Sequence, residues 1–335
     1  MTTTHVTLLV ENLRRQIESI SKDYRLNSLE MIFSRGRPLN IAAATSHHLR
    51  FTLFGIEADG KLPVAALTHV ADRKARPKND FFWLRTDPVT MWADMARVFM
   101  TNYGFADLNP YERNEIENCI RSVLEEEGFH MQADHPERWC IALSSPLNFE
   151  FTPLDDALGM DVAEALPDHP EARFWRRILN EIQVALHHCP VNIRRRNSGR
   201  QEINSVWFWG GGFIPEAAPH DLFDTVYSNN PVTRGLAIIN DCRLKMQNKA
   251  GHNLFRRDGR SILIDWTSQL RGAEEELAEV EGLAGQLIGL ADEKQLVLTV
   301  FDGSGEGRLY DSSCQRRFWR RKKPVSFKRL APAGT

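Results

Sequence analysis

The sequence predicts an α/β protein, and three observations predict it. Toward the C-terminus an apolar run at 261–266, an amphipathic stretch at 273–290 and a second apolar run at 295–301 alternate as strand, helix and strand do in an α/β unit. The chain also opens on a short apolar run, 5–10, followed by helical periodicity at 11–21 and 28–34. The composition, 42% apolar and 26% charged over 335 residues, is that of a globular chain long enough for about two domains, which excludes disorder, collagen and coiled coil as whole-chain readings.

Gly36 and Pro38 stop the second helical stretch. Residues 45–56 and 62–71 read as two more short helices, 72–80 as a polar connector around Pro77, and 81–100 as extended, aromatic-rich chain. Pro110 opens a helix that runs through Glu127 and ends at Gly128. Short strands are expected at 129–133, 138–143 and 147–151. The clearest helix is 170–188, stopped by Pro190: Phe174, Trp175, Ile178, Leu179, Ile182, Ala185 and Leu186 recur at three- and four-residue spacings and predict one buried face. Asn180, Gln183 and His187 form an uncharged polar seam on its other side. A basic loop then leads into a strand, 205–209, and into Gly210-Gly211-Gly212.

Within 273–290, Leu277, Val280, Leu283, Leu287 and Leu290 predict a core stripe, and Gly282, Gly285 and Gly289 a strip where another element can approach. Glu274, Glu275, Glu276, Glu279 and Glu281 read as its solvated face, with charge favourable near a helix N-terminus. The resulting division is an N-terminal α/β portion 1–128, a pocket region 129–240, a C-terminal α/β portion 241–315 completing the core, and a basic tail 316–335.

Lys plus Arg, 42, against Asp plus Glu, 44, gives a net charge of −2, so overall charge selects no polyanionic partner. Cys119, Cys140, Cys189, Cys242 and Cys314 are odd in number and form no CxxC pair, which suits reduced thiols. No secretory signal pattern opens the chain, and no apolar run reaches the roughly 18 residues of a membrane span. A cytoplasmic location is therefore expected.

The chemistry concentrates at 187–215, which holds His187, His188, Cys189, Asn192, Arg194, Arg195, Arg196, Arg200 and Asn204 before Trp207, Trp209 and the three glycines. Guanidinium groups beside a glycine turn suit a phosphate or carboxylate, since Arg binds such groups bidentately and glycine lets backbone N–H groups come close. A basic loop before a core strand, with glycines needed only for a bend, fits the same residues. No GxSxG, P-loop, HExxH or GxGxxG motif occurs in a strand–helix context.

His188 to Asn192, Arg195, Gly199 and the run Asn204-Ser205-Val206-Trp207-Phe208-Trp209-Gly210-Gly211-Gly212 with Pro215 resemble the signature segment of bacterial RpfE-type regulatory proteins. Asp134-His135-Pro136-Glu137-Arg138-Trp139 and Asn180-Glu181-Ile182-Gln183 add to the resemblance; Cys189 stands between His188 and Pro190 where the pattern joins histidine to proline. That family is itself similar to a shortened relative of the archaeal-type, cofactor-independent phosphoglycerate mutases of the alkaline phosphatase superfamily. The resemblance implies a mostly parallel central sheet flanked by helices, alkaline-phosphatase-like, with a smaller α+β subdomain.

In that superfamily the mutase reaction uses two bridging metal ions held by Asp and His at strand ends, and a Ser or Thr that is phosphorylated in transit. Here the first strand ends in Val10-Glu11-Asn12, Asp265-Trp266 lacks the usual partner ligands, and Asp302-Gly303 has glycine where a ligand histidine would stand. The expectation is a pseudoenzyme of regulatory function that keeps a phosphoglycerate-like pocket without the bimetal centre, no cofactor, and a small anionic metabolite as partner. Arg138, Arg195 and Arg200 would supply anion charge, Asn192 and Asn204 would orient the ligand, Trp207 and Trp209 would wall the site, and His135 and His188 would titrate. The first alternative is an active metal-dependent phosphoglycerate mutase or phosphatase, with manganese or zinc.

The second alternative concerns the C-terminus. From Arg316 to Arg329 the residues Arg316, Arg317, Arg320, Arg321, Lys322, Lys323, Lys328 and Arg329 carry eight positive charges with no acid, interleaved with Phe318, Trp319 and Phe327. Such a block suits nucleic acid or another acidic partner. A tail whose Phe318 and Trp319 pack back on the body, balancing the acidic helix at 274–281, is the reading preferred for it.

Overall fold

The computed structural model describes residues 3–21, 24–43, 45–56, 62–77, 81–105, 107–218, 222–249, 260–268, 272–317, 319–323 and 325. Phe318, Phe327, Lys328 and Arg329 lie outside these. The chain divides into two compact units, 1–58 with 216–335, and 59–215. The boundaries therefore fall near 58 and 215, and not at 128 and 240, because the first strand of the chain pairs with strands at 261–266 and 296–301 near its other end.

In chain order the first unit begins with β1 (Thr4–Val10), α1 (Leu13–Ser19), α2 (Asn27–Arg35), β2 (Arg37–Asn40) and α3 (Ser46–Leu53). The second unit supplies α4 (Val64–Arg73), β3 (Phe82–Asp94), β4 (Arg97–Tyr103), α5 (Pro110–Glu126), β5 (His130–Gln132), β6 (Cys140–Leu143), α6 (Leu154–Ala157), α7 (Val162–Ala165), α8 (Ala172–His187), α9 (Pro190–Asn197) and β7 (Ser205–Gly212). The chain then returns to the first unit with β8 (Thr225–Ser228), α10 (Pro231–Ile239), β9 (Arg243–Lys245), β10 (Ser261–Trp266), α11 (Ala273–Asp292), β11 (Leu296–Phe301), β12 (Glu306–Tyr310) and α12 (Ser312–Gln315).

The first unit is built on a sheet of order β2-β12-β11-β1-β10-β8-β9. The strands from β11 to β9 run parallel, and β12 and β2 close one edge antiparallel. Such strands, covered on both faces, read as continuous apolar runs, which is why 5–10, 261–266 and 295–301 stand out in the sequence. The predicted stripe of α11 is buried against Leu29 and Ile32 of α2 and Val6 and Leu8 of β1, each buried aliphatic side chain adding about 1.5–3 kcal/mol. Its supposed wet face is in part structural: Glu276 is buried and accepts from Gln16 and Ser268, and Glu281 accepts the backbone N–H groups of Ser28 and Leu29, capping α2. Only Gly285 of the three α11 glycines meets a neighbour, the Ser28 hydroxyl at 3.1 Å from where a Cβ would stand.

The second unit holds an antiparallel sheet, β4-β3-β6-β5, with β7 also paired to β3. The long β3 alternates: Phe82 and Leu84 join the core formed with α5 and α8, while Trp83 packs with Ala65 and Ala66 of α4. The α8 stripe is buried as its periodicity predicts. Two local expectations need correction. Residues 147–151 form no strand, and the supposed basic loop after Pro190 is the helix α9, because a proline that cannot continue α8 suits the first turn of a new helix.

Candidate functional site

Ligand sites of parallel sheets form at the carboxyl ends of the strands. In the first unit β10, β1 and β11 are neighbours in register, Leu9 lying opposite both Asp265 and Phe301, so Glu11, Asp265 and Asp302 stand at the carboxyl ends of three adjacent central strands. The three strand-end acids read from the sequence are thus brought together.

What sits among them is a guanidinium. Arg50 of α3 is fully buried. Its Nε and Nη2 donate to the two oxygens of Asp265 at 3.0 and 3.1 Å, and its Nη1 donates to Glu11 Oε1 at 3.0 Å. Burial works against the charge, but Asp265 and Glu11 outweigh it and hold Arg50 above its ordinary pKa. Asp265 also accepts from the Ser228 hydroxyl at 3.2 Å and from the Thr233 hydroxyl. Three of these four donors converge on Asp265 Oδ2 and one on Oδ1, so the carboxylate is held mainly by protein donors.

Asp302 is treated alike. It accepts from the Ser304 hydroxyl and backbone N–H, and Arg14 reaches it at 3.4 Å. Gly303 has φ +87°, and a Cβ there would stand 3.3 Å from both Asn12 N and Val10 O, so the close end of β1 requires glycine at this place.

The donor set does not fit a pair of divalent ions. Among the described residues no three His, Cys, Asp or Glu side chains converge as metal ligands. The strand-end acids that could serve face Arg50 and Arg14 instead.

The second unit holds a polar cleft between α4 and the sheet. His69 stacks on Trp83 with ring centroids 3.8 Å apart, and its Nδ1 lies 3.6 Å from Cys140 Sγ. Arg85 donates to Thr68 and Asp87, and Asp87 accepts from Trp209 Nε1 at 2.7 Å and from the Trp139 backbone. Arg138 forks onto Asp72. Burial pushes the His69 pKa down to about 4 and the Cys140 thiol up to about 12, so the pair is a neutral imidazole beside a neutral thiol. The cavity they line with Gln132 and Asp134 measures about 10 Å³, room for about one water molecule and no metabolite.

At the rim of this cleft His135 is half-buried, and burial together with the nearby guanidinium groups of Arg138, Arg85 and Arg113 lowers its pKa to about 4. Arg113 Nε is buried and has no hydrogen-bond partner.

The other residues read from the sequence lie elsewhere in the unit. Arg195 is buried and donates to the Gln201 carbonyl, Asp107 and Glu112; Arg200 shares Glu112. Asn192 is buried and ties the carbonyls of Leu186 and Ile203 and the Ile203 N–H. Asn204 bonds both backbone groups of Met91 at a bulge in β3. Trp207 is buried, with Nε1 on the Thr152 carbonyl, and His188 is exposed. The glycines of β7 admit close neighbours: a Cβ on Gly212 would stand 2.5 Å from Cβ of Pro63, just before α4, and one on Gly211 2.8 Å from the Phe82 ring of β3. Sequence reasoning misses Arg50, His69 and Cys140; no local pattern marks them, since their partners lie 215 and 71 residues away.

No protein-family model matches the chain. It is 36% identical over 70 residues to the 2,3-bisphosphoglycerate-independent phosphoglycerate mutase of Methanosarcina barkeri, covering 21% of this chain and 18% of that protein. It is 24% identical over 186 residues to the probable 2,3-bisphosphoglycerate-independent phosphoglycerate mutase of Geobacter sulfurreducens, covering 54% of this chain and 44% of the other. In these alignments the chain spans less than half the length of the curated relatives it matches. Among solved structures, the PH0037 protein from Pyrococcus horikoshii shares the fold, with a TM-score of 0.54 at 11% identity over 92% of this chain and 87% of that one. The chain is thus a distant homologue of the cofactor-independent phosphoglycerate mutases, with the expected mostly parallel sheet flanked by helices and a smaller antiparallel unit.

Proposed function

We propose that this protein is a cytoplasmic, bacterial regulator of the RpfE type, in which a buried guanidinium has taken over from the metal centre of a mutase-like fold and which binds a small phosphorylated or carboxylated metabolite. The observation that carries the reading is Arg50, forked onto Asp265 and bonded to Glu11 at the strand edge. A resident organic cation neutralises the acids that would otherwise attract divalent ions, and it offers no open coordination position for phosphoryl transfer.

For the metabolite we favour the rim around His135, which feels the positive charge of Arg138 and Arg113, Arg113 keeping a buried N–H without an acceptor. A phosphate or carboxylate supplies that acceptor and charge together. Arg195, Asn192 and Asn204 are then framework residues of the same unit, and Arg200 and His188 are left to test as secondary contacts.

The test is a thermal-shift titration with 3-phosphoglycerate, with and without manganese. At about 100 times its Kd a ligand adds roughly 2.7 kcal/mol, several degrees in a chain of this size. A shift that needs no metal and is lost in Arg113→Ala supports the reading. A shift only with manganese, accompanied by conversion to 2-phosphoglycerate, overturns it in favour of an active mutase; no shift at all removes this class of metabolite.

A further inference from the structure

The described basic residues that follow α12, up to Lys323, form a strap anchored to the first unit. Arg317 donates to the carbonyl of Arg35 at 3.0 Å, at the end of α2. The backbone N–H of Lys323 donates to the Ser34 hydroxyl at 3.1 Å, and Val325 packs against the core of the first unit. Between these anchors Arg320, Arg321 and Lys322 are exposed, and Trp319 is 67% exposed. Residues 316–323 thus carry six cations and no acid, and among the described residues Trp319 sets a large aromatic ring at the surface beside them.

We infer that this strap is a binding surface for single-stranded nucleic acid. Guanidinium and ammonium groups spaced along an anchored backbone match a run of phosphates, and their binding releases condensed counterions. The exposed indole of Trp319 offers a face on which an unpaired base stacks, which a duplex, with its bases already stacked, does not use. Anchoring at both ends lowers the ordering cost that a loose arm would meet on binding. The surface lies in the first unit and owes nothing to the metabolite site proposed in the second, so either can fail alone.

The experiment is fluorescence anisotropy of labelled dT20 with the full-length protein. With four to six phosphates neutralised, log Kobs should fall with log salt at a slope of about −3 to −4, roughly a hundredfold loss between 50 and 200 mM KCl. Arg320→Glu/Arg321→Glu/Lys322→Glu, whose exposed positions leave the melting temperature unchanged, should weaken binding at least tenfold. Trp319→Ala should weaken it about tenfold with an unaltered salt slope. The inference is overturned by any of three results: no anisotropy change at 50 mM KCl, equal affinity in the triple variant, or duplex bound as tightly as dT20. Binding to phosphatidylserine vesicles without binding to dT20 overturns it in favour of a membrane surface.

Discussion

Arg50 shows how one side chain can decide what a strand edge does. A buried ion pair is worth little against a well-packed apolar substitute, but breaking one side of it is costly. Arg50→Met should therefore destabilise the protein by about 3–5 kcal/mol in urea unfolding, while Arg50→Met combined with Asp265→Leu should recover a large part of that loss. If Arg50→Met alone is neutral, Arg50 is not the charge that holds this edge. His69 gives a second prediction. Its pKa is lowered from 6.5 to about 4 by burial, so the unfolded chain takes up the proton first as pH falls. The stability His69 leaves intact above pH 6.5 is lost progressively toward pH 4. Melting temperatures measured across that window should decline less steeply for His69→Phe than for the parent protein; Asp87, raised by burial, works in the opposite direction in both and cancels from the comparison. Neither role is visible in the sequence, where a buried Arg or His has the same neighbours as an exposed one.

Elements are legible where periodicity or punctuation speaks. The Leu277–Leu290 stripe, the α8 stripe and the stop at Gly128, whose φ is +80°, all follow from residue type and spacing. The three β7 glycines are legible as punctuation but not as to cause, since the approach of Pro63 and Phe82 is a tertiary fact. Gly212→Ala must displace Pro63 and should cost about 1–3 kcal/mol in a denaturant titration. Gly282→Ala and Gly289→Ala, with nothing within 4 Å of the new methyl groups, should each stabilise α11 by about 0.5–1 kcal/mol. Equal effects at all three positions would show that close packing is not what β7 glycines serve. Glu281 also belongs here: it looks like one acid among five in an exposed row, and only the arrival of α2 turns it into a cap.

For the whole molecule, the parallel sheet is legible because its strands are covered on both faces and therefore apolar throughout. The insertion of 59–215 is not, because the pairing of β1 with β10 and β11 spans most of the chain. The strand-end acids Glu11, Asp265 and Asp302 can be read from the sequence as ends of apolar runs; that α3 delivers a cation to two of them cannot. Under the proposed reading, that delivery is what separates a regulator from a metal-dependent mutase. The most direct measurement is a manganese titration of the purified, chelator-treated protein, with free Mn²⁺ counted by electron paramagnetic resonance. The account predicts that the protein leaves the added manganese free at micromolar concentrations. Two tightly bound Mn²⁺ per chain, with turnover of 3-phosphoglycerate on their addition, would contradict it.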